Sequence, residues 1–153
     1  VCRVESIQNM DGIGGAPQRT YYTQVPIYTS GSKLFVPTDG KRVVTRPVMT
    51  KKEAETLLKE WDEIETLWVE NDKKREEVYK EALRSCDSRQ WVKLIKTSYQ
   101  RNQARLQKGK KATTSDERYL HMAEDNLFGE LAIPFEMTKG EAEEYFVAQI
   151  RGE

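Results

Sequence analysis

Histidine and cysteine are nearly absent: the 153 residues include one of the first and two of the second. Cys2 and Cys86 stand far apart and neither belongs to a CxxC pair, so no structural disulfide is expected, and a reducing, cytoplasmic setting fits better. With His121 as the sole histidine, the cysteines cannot assemble a zinc site, and no serine or cysteine has an evident base for nucleophilic catalysis. No stretch approaches the ~20 apolar residues of a membrane span, and no secretory signal, internal repeat or low-complexity tract is visible. These absences point to a globular protein of one ordinary domain or two small ones, with neither catalytic activity nor a cofactor expected.

Net charge is absent as well, 25 Lys and Arg against 25 Asp and Glu, but the balance hides a strongly basic middle. Between Lys73 and Lys111 thirteen bases face four acids (Glu76, Glu77, Glu81, Asp87). Residues 51–72 carry three bases and eight acids, and residues 112–153 three bases and ten. Such a chain will not coat nucleic acid indiscriminately, yet one face of it can attract phosphate. Trp68, Trp91 and Tyr99 place flat apolar groups close to these cations.

The apolar period changes near Pro47. Residues 1–46 read as four or five short strands: Val1–Ile7, Tyr21–Tyr28 with Pro26 near its end, Lys33–Val36 and Val43–Thr45, separated by Gly- and Pro-containing turns. A small barrel-like module is expected there. Residues 47–153 read as helices. Thr50 with Glu53 forms a capping box ahead of Ala54, Leu57, Leu58, Trp61, Ile64, Leu67 and Trp68 at helical spacing. Asn71 or Asp72, Asp87, Thr113 with Asp116, and Thr138 with Glu141 begin four more. The expected fold class is α+β, with a β module followed by an all-α domain.

Gly12-Ile13-Gly14-Gly15 could be taken for a phosphate loop, but strand-like residues follow where a dinucleotide fold needs a helix, so it reads as a hairpin connection. The carboxylates, such as Glu141, Glu143 and Glu144, lie on solvated helix faces. The basic residues form rows at near-helical spacing: Lys73, Lys80 and Arg84; Arg89, Lys93 and Lys96; Arg101, Arg105 and Lys108. Lys108, Lys110 and Lys111 then crowd a loop. Either they are a solvated surface paired with the acidic flanks, or they meet phosphates, and thirteen bases against four favour phosphates. Trp68 has two readings: core, continuing the 57/61/64/68 stripe, or an exposed wedge for a distorted base step. Trp61 and Trp91 read as core.

Laid out this way, the chain resembles the bacterial CarD/CdnL family of transcription regulators over nearly its whole length. The resemblance rests on Val1-Cys2-Arg3-Val4-Glu5-Ser6-Ile7, Leu34-Phe35-Val36-Pro37 and Arg46-Pro47. It continues in Glu53-Ala54-Glu55, in the run from Tyr79 to Asp87, and in Gly129-Glu130-Leu131-Ala132. Family members usually carry further residues before the position of Val1, so an N-terminally clipped chain is expected.

The resemblance implies a Tudor-like module, residues 1–46, that binds the RNA polymerase β subunit, here through Arg3, Met10, Lys33 and Phe35. It implies a helical domain, residues 47–153, that contacts promoter DNA at the upstream edge of the melted region, where a tryptophan props the open complex. Trp68 takes that role, with Lys73, Lys74, Arg75, Lys80, Arg84, Lys108, Lys110 and Lys111 as DNA contacts. Two departures stand out. The family tryptophan commonly precedes a basic pair by a residue or two, whereas Val69-Glu70-Asn71-Asp72, about one helical turn, intervene here. Met10 and Phe35 stand where the family often has arginines, which implies a more apolar polymerase contact. A monomer without a metal is expected. The alternatives are an adaptor whose basic helices bind an acidic protein, or an RNA-binding module.

Overall fold

The computed structural model describes residues 1–11 and 15–152, and the chain divides into two compact units, Val1–Thr45 and Arg46–Glu153. The first unit holds strands β1 (Cys2–Met10), β2 (Arg19–Pro26) and β3 (Leu34–Pro37), antiparallel and in that order across one sheet. The β1–β2 register runs from Cys2 opposite Pro26 to Met10 opposite Arg19, with a bulge between Val4 and Ser6. β3 pairs Leu34 with Gln24 and Val36 with Tyr22. Thr23, at the centre of the middle strand, is buried.

The sheet is open, with β1 and β3 at its edges, so the closure expected of a barrel is not seen. Nor do Val43–Thr45 form a strand; Val43 and Val44 are 55% and 61% exposed. β-branched residues favour a strand only where a neighbouring strand accepts their backbone. The residues after the Gly40 turn bend without finding one. Gly12, Ile13 and Gly14 lie outside the described residues. The strands on either side of them, β1 and β2, pair antiparallel.

Among the described residues the second unit holds five α-helices: α1 (Lys51–Lys59), α2 (Arg75–Arg84), α3 (Ser88–Gln107), α4 (Thr114–Leu131) and α5 (Lys139–Arg151). Their starts are set by local chemistry. The Thr50 hydroxyl accepts from the Glu53 N–H at 3.2 Å and the Glu53 carboxylate accepts from the Thr50 N–H at 2.8 Å; Thr138 and Glu141 repeat the motif with the same two distances. Asp87 caps α3 through the Arg89 N–H, and Thr113 caps α4 through the Asp116 N–H. One core joins the helices. Tyr79, Leu94, Leu127 and Phe146 are fully buried within it, and Ala54 and Leu57 bring in α1. Among the described residues no helix is long and apolar enough to cross a membrane.

α1 is shorter than its apolar stripe. It ends at Lys59, and residues 61–70 form turns and irregular backbone in place of the expected helix through Trp68. The cause lies in α3. The Lys96 ammonium donates to the carbonyls of Trp61 (2.6 Å), Ile64 (2.7 Å) and Asp62 (3.3 Å), satisfying acceptors that a continuing helix would have used itself. Leu67 then gives its N–H to the Thr97 hydroxyl at 2.8 Å.

Candidate nucleic-acid interface

α3 organises the surface that carries Trp68. Thr97, Arg101 and Arg105 follow at four-residue intervals, spanning about 12 Å of one helix face. Each holds a different segment. Thr97 holds Leu67, next to Trp68; Arg101 holds Asp72 at 3.2 Å; Arg105 donates through Nε to the Lys111 carbonyl at 2.9 Å. The sequence around Trp68, the basic turn at Lys73–Lys74 and the lysine-rich loop are thereby aligned along one helix, although up to 43 residues separate them.

Trp68 is 78% exposed, whereas Trp91 is buried and Trp61 packs partly buried against the core. Its indole walls an open groove of about 570 Å³ with Asp62, Glu65, Val69, Lys96 and Gln100. Three residues on, Asn71 caps a single 3₁₀ turn, Asp72–Lys74, by accepting from the Lys74 N–H at 3.2 Å, and α2 follows directly. The helix expected to begin at Asn71 or Asp72 therefore enters through a tighter turn. Asp72 accepts from Arg75 at 2.8 and 3.1 Å, and this bond, reinforced by Arg101, holds its carboxyl below the usual range.

The basic residues separate into two groups. Several are committed within the fold. Arg75 grips Asp72 and lies over the Tyr79 ring, 5.9 Å from its centre. Arg101 donates to the buried Asp116 carboxylate at 2.9 Å, which also accepts from the Thr113 hydroxyl. Arg89 pairs with Glu60, and Lys96 is bound to three carbonyls. Lys74 pairs with Glu70, and Lys80 with Glu76 at 3.2 Å, but both are exposed pairs that water already weakens. Lys73, Arg84, Lys108, Lys110 and Lys111 are exposed and make no ion pair among the described residues. Counting charges along the sequence cannot separate the groups, because the carboxylates and carbonyls that engage Arg101 and Lys96 come from other elements.

Arg84 and Lys80 border a second groove, about 510 Å³, between α2 and α4, with Leu83, Met122, Arg118 and Tyr119. Glu76 sits at its end, accepting from the Tyr119 hydroxyl at 2.8 Å; that bond, then Lys80, depresses its carboxyl.

In the sheet unit, Arg3 is exposed on β1 and Met10 half-buried at its end. Lys33, just before β3, pairs with Glu5 at 3.2 Å, and Phe35 on the β3 edge strand is 50% exposed. Among the described residues no cluster of His, Cys, Asp and Glu could hold a metal ion. No protein-family model matches the chain, and no curated protein matches it.

Proposed function

We propose that the protein is a non-enzymatic transcription regulator that binds the RNA polymerase β subunit through its sheet unit and promoter DNA through its helical unit. The observation that carries this reading is Trp68: a large aromatic residue, 78% exposed, on a backbone tied to α3 and followed four residues later by the turn Asp72–Lys74 with its two lysines. Leaving a large apolar side chain in water forfeits the free energy of burying it, so such an exposed ring suits a role on a partner. At the upstream edge of a melted promoter it serves as a prop against unstacked bases. Lys73, Arg84 and the loop lysines, with Lys74 and Lys80 released from their exposed pairs, meet phosphates without reading bases. Arg75, also expected to touch DNA, contributes by shaping the turn.

The sheet unit acts as a Tudor-like module. Among the described residues β3 offers an unpaired edge, and strand addition there draws affinity from backbone pairing and selectivity from alternate side chains. Arg3, Met10, Lys33 and Phe35 flank that contact. Tethering raises the effective concentration of the helical unit at the promoter, so weak DNA affinity suffices and the protein works as a monomer.

Trp68→Ala tests the reading. Thermal unfolding should stay within about 0.5 kcal/mol of the parent, as for surface changes, while the open polymerase–promoter complex decays faster. A large stability loss with an unchanged complex lifetime overturns it.

A further inference from the structure

We propose that Lys96 and Thr97 are positioning residues for Trp68, and that Lys96, for all its place in the basic segment, makes no phosphate contact. The inference rests on reading Trp68 as the DNA-contacting group. An indole 78% exposed has little packing of its own to fix it, so its placement is inherited from its backbone. That backbone is tied on both sides to α3. Upstream, all three protons of the Lys96 ammonium are engaged, by the carbonyls of Trp61, Asp62 and Ile64. Thr97 accepts from the Leu67 N–H at 2.8 Å while its own hydroxyl donates to the Lys93 carbonyl at 2.6 Å, so its oxygen is held in place from below. Downstream, Asp72 is bound by Arg101, one turn further along the same helix. Residues 65–70 are thus a strap with both ends made fast, and Trp68 stands near mid-span. A side chain presented this way loses less freedom on binding than one on a slack loop. A lysine whose donors are spent on carbonyls has none to give a phosphate.

The test uses the full chain labelled with 5-fluorotryptophan, which has three tryptophans and so three fluorine resonances; Trp68→Phe assigns the one that matters. Lys96→Met and Thr97→Val should each shift or broaden the Trp68 resonance, leave that of Trp91 in place and shorten the open-complex lifetime several-fold. Thr97→Ser, which keeps the hydroxyl, should restore both. The salt dependence of duplex binding should be unchanged in Lys96→Met, whereas Lys73→Met should lower its slope by about one unit. Should Lys96→Met melt at the assay temperature, Thr97→Val decides. An unmoved Trp68 resonance in the folded variants, or a salt slope that falls by a unit in Lys96→Met, overturns the proposal. If Trp68→Ala leaves the complex lifetime unaltered, the DNA reading fails, while a displaced Trp68 resonance still upholds the tie from Lys96 and Thr97.

Discussion

Arg46 and Glu130, 84 positions apart, form a two-pronged ion pair that fastens the start of the helical unit to the end of α4. One guanidinium nitrogen meets Glu130 Oε2 at 2.9 Å and the other meets Oε1. The Arg46 guanidinium also lies over the Trp91 ring, 5.7 Å from its centre, and donates to the Cys86 carbonyl. The partners differ in access to water, with side-chain exposures of 29% and 5%. Removing Arg46 strands a buried carboxylate, whereas removing Glu130 leaves a guanidinium that can rehydrate. Arg46→Met should therefore cost about 3 kcal/mol, at the low end for a broken buried pair, and Glu130→Gln distinctly less. Denaturant unfolding of both variants checks the order; equal costs would show that burial of Glu130 is not the dominant effect.

The division of the basic residues predicts a division in salt response. Lys73→Met should reduce the slope of log affinity against log salt by about one unit, because Lys73 is exposed and unpaired among the described residues. Arg75→Met should leave the slope nearly unchanged, since its charge is already met by Asp72. Titrations of duplex binding between low and moderate salt compare them directly.

If the proposed polymerase contact lies at the β3 edge, Phe35→Asp should weaken capture of the polymerase β subunit, while the helical unit keeps its melting temperature. Phe35 is half exposed and opposite Thr23, so the change adds charge to the edge without opening the helical core. Pull-down against the isolated β subunit and circular dichroism give the two readouts.

Two kinds of carboxyl give opposite pH dependences. Glu53 and Glu141 sit below the ordinary range because the N–H groups, then the hydroxyls, of Thr50 and Thr138 bind their ionised forms. Their contribution is present above the ordinary glutamate range and is lost as pH falls through the lowered native value. Glu124 is pushed up, first by burial and then by Glu143, so at neutral pH its ionised form opposes folding and acid relieves it. Glu124→Gln should raise the melting temperature at pH 7, with the gain fading as pH falls through the raised native value and gone below the ordinary glutamate range. A gain that persists at acid pH would assign the effect to packing instead.

The helix starts were legible because caps are local. Thr50, Asp87, Thr113 and Thr138 each bind an N–H two or three residues ahead, and each stands where the sequence indicates. The end of α1 was not, because Lys96 lies more than thirty residues downstream of the carbonyls it caps, and the 57/61/64/68 period continues past the helix by coincidence. Val43–Thr45 carries strand-forming side chains but finds no partner strand, which composition cannot foresee. At the candidate site, the sequence left Trp68 open between core and exposed surface, and the structure shows it exposed. The sequence could not tell that Arg101 and Lys96 face inward, since Asp116 and the 61–64 carbonyls approach them only in the folded chain.

Past Arg101, α3 has no fully buried side chain; its buried positions are Trp91, Val92, Leu94, Thr97 and Ser98. The last turns of the helix thus answer to the loop they carry and not to the core. One residue added there would swing Arg105, and with it Lys111, by about 100° around the axis while leaving composition and net charge almost unaltered. Two chains with the same number of cations would then differ in whether the indole and the lysines line up along one face of the helix. What the helix conserves is angular phase, a property no count of charges records.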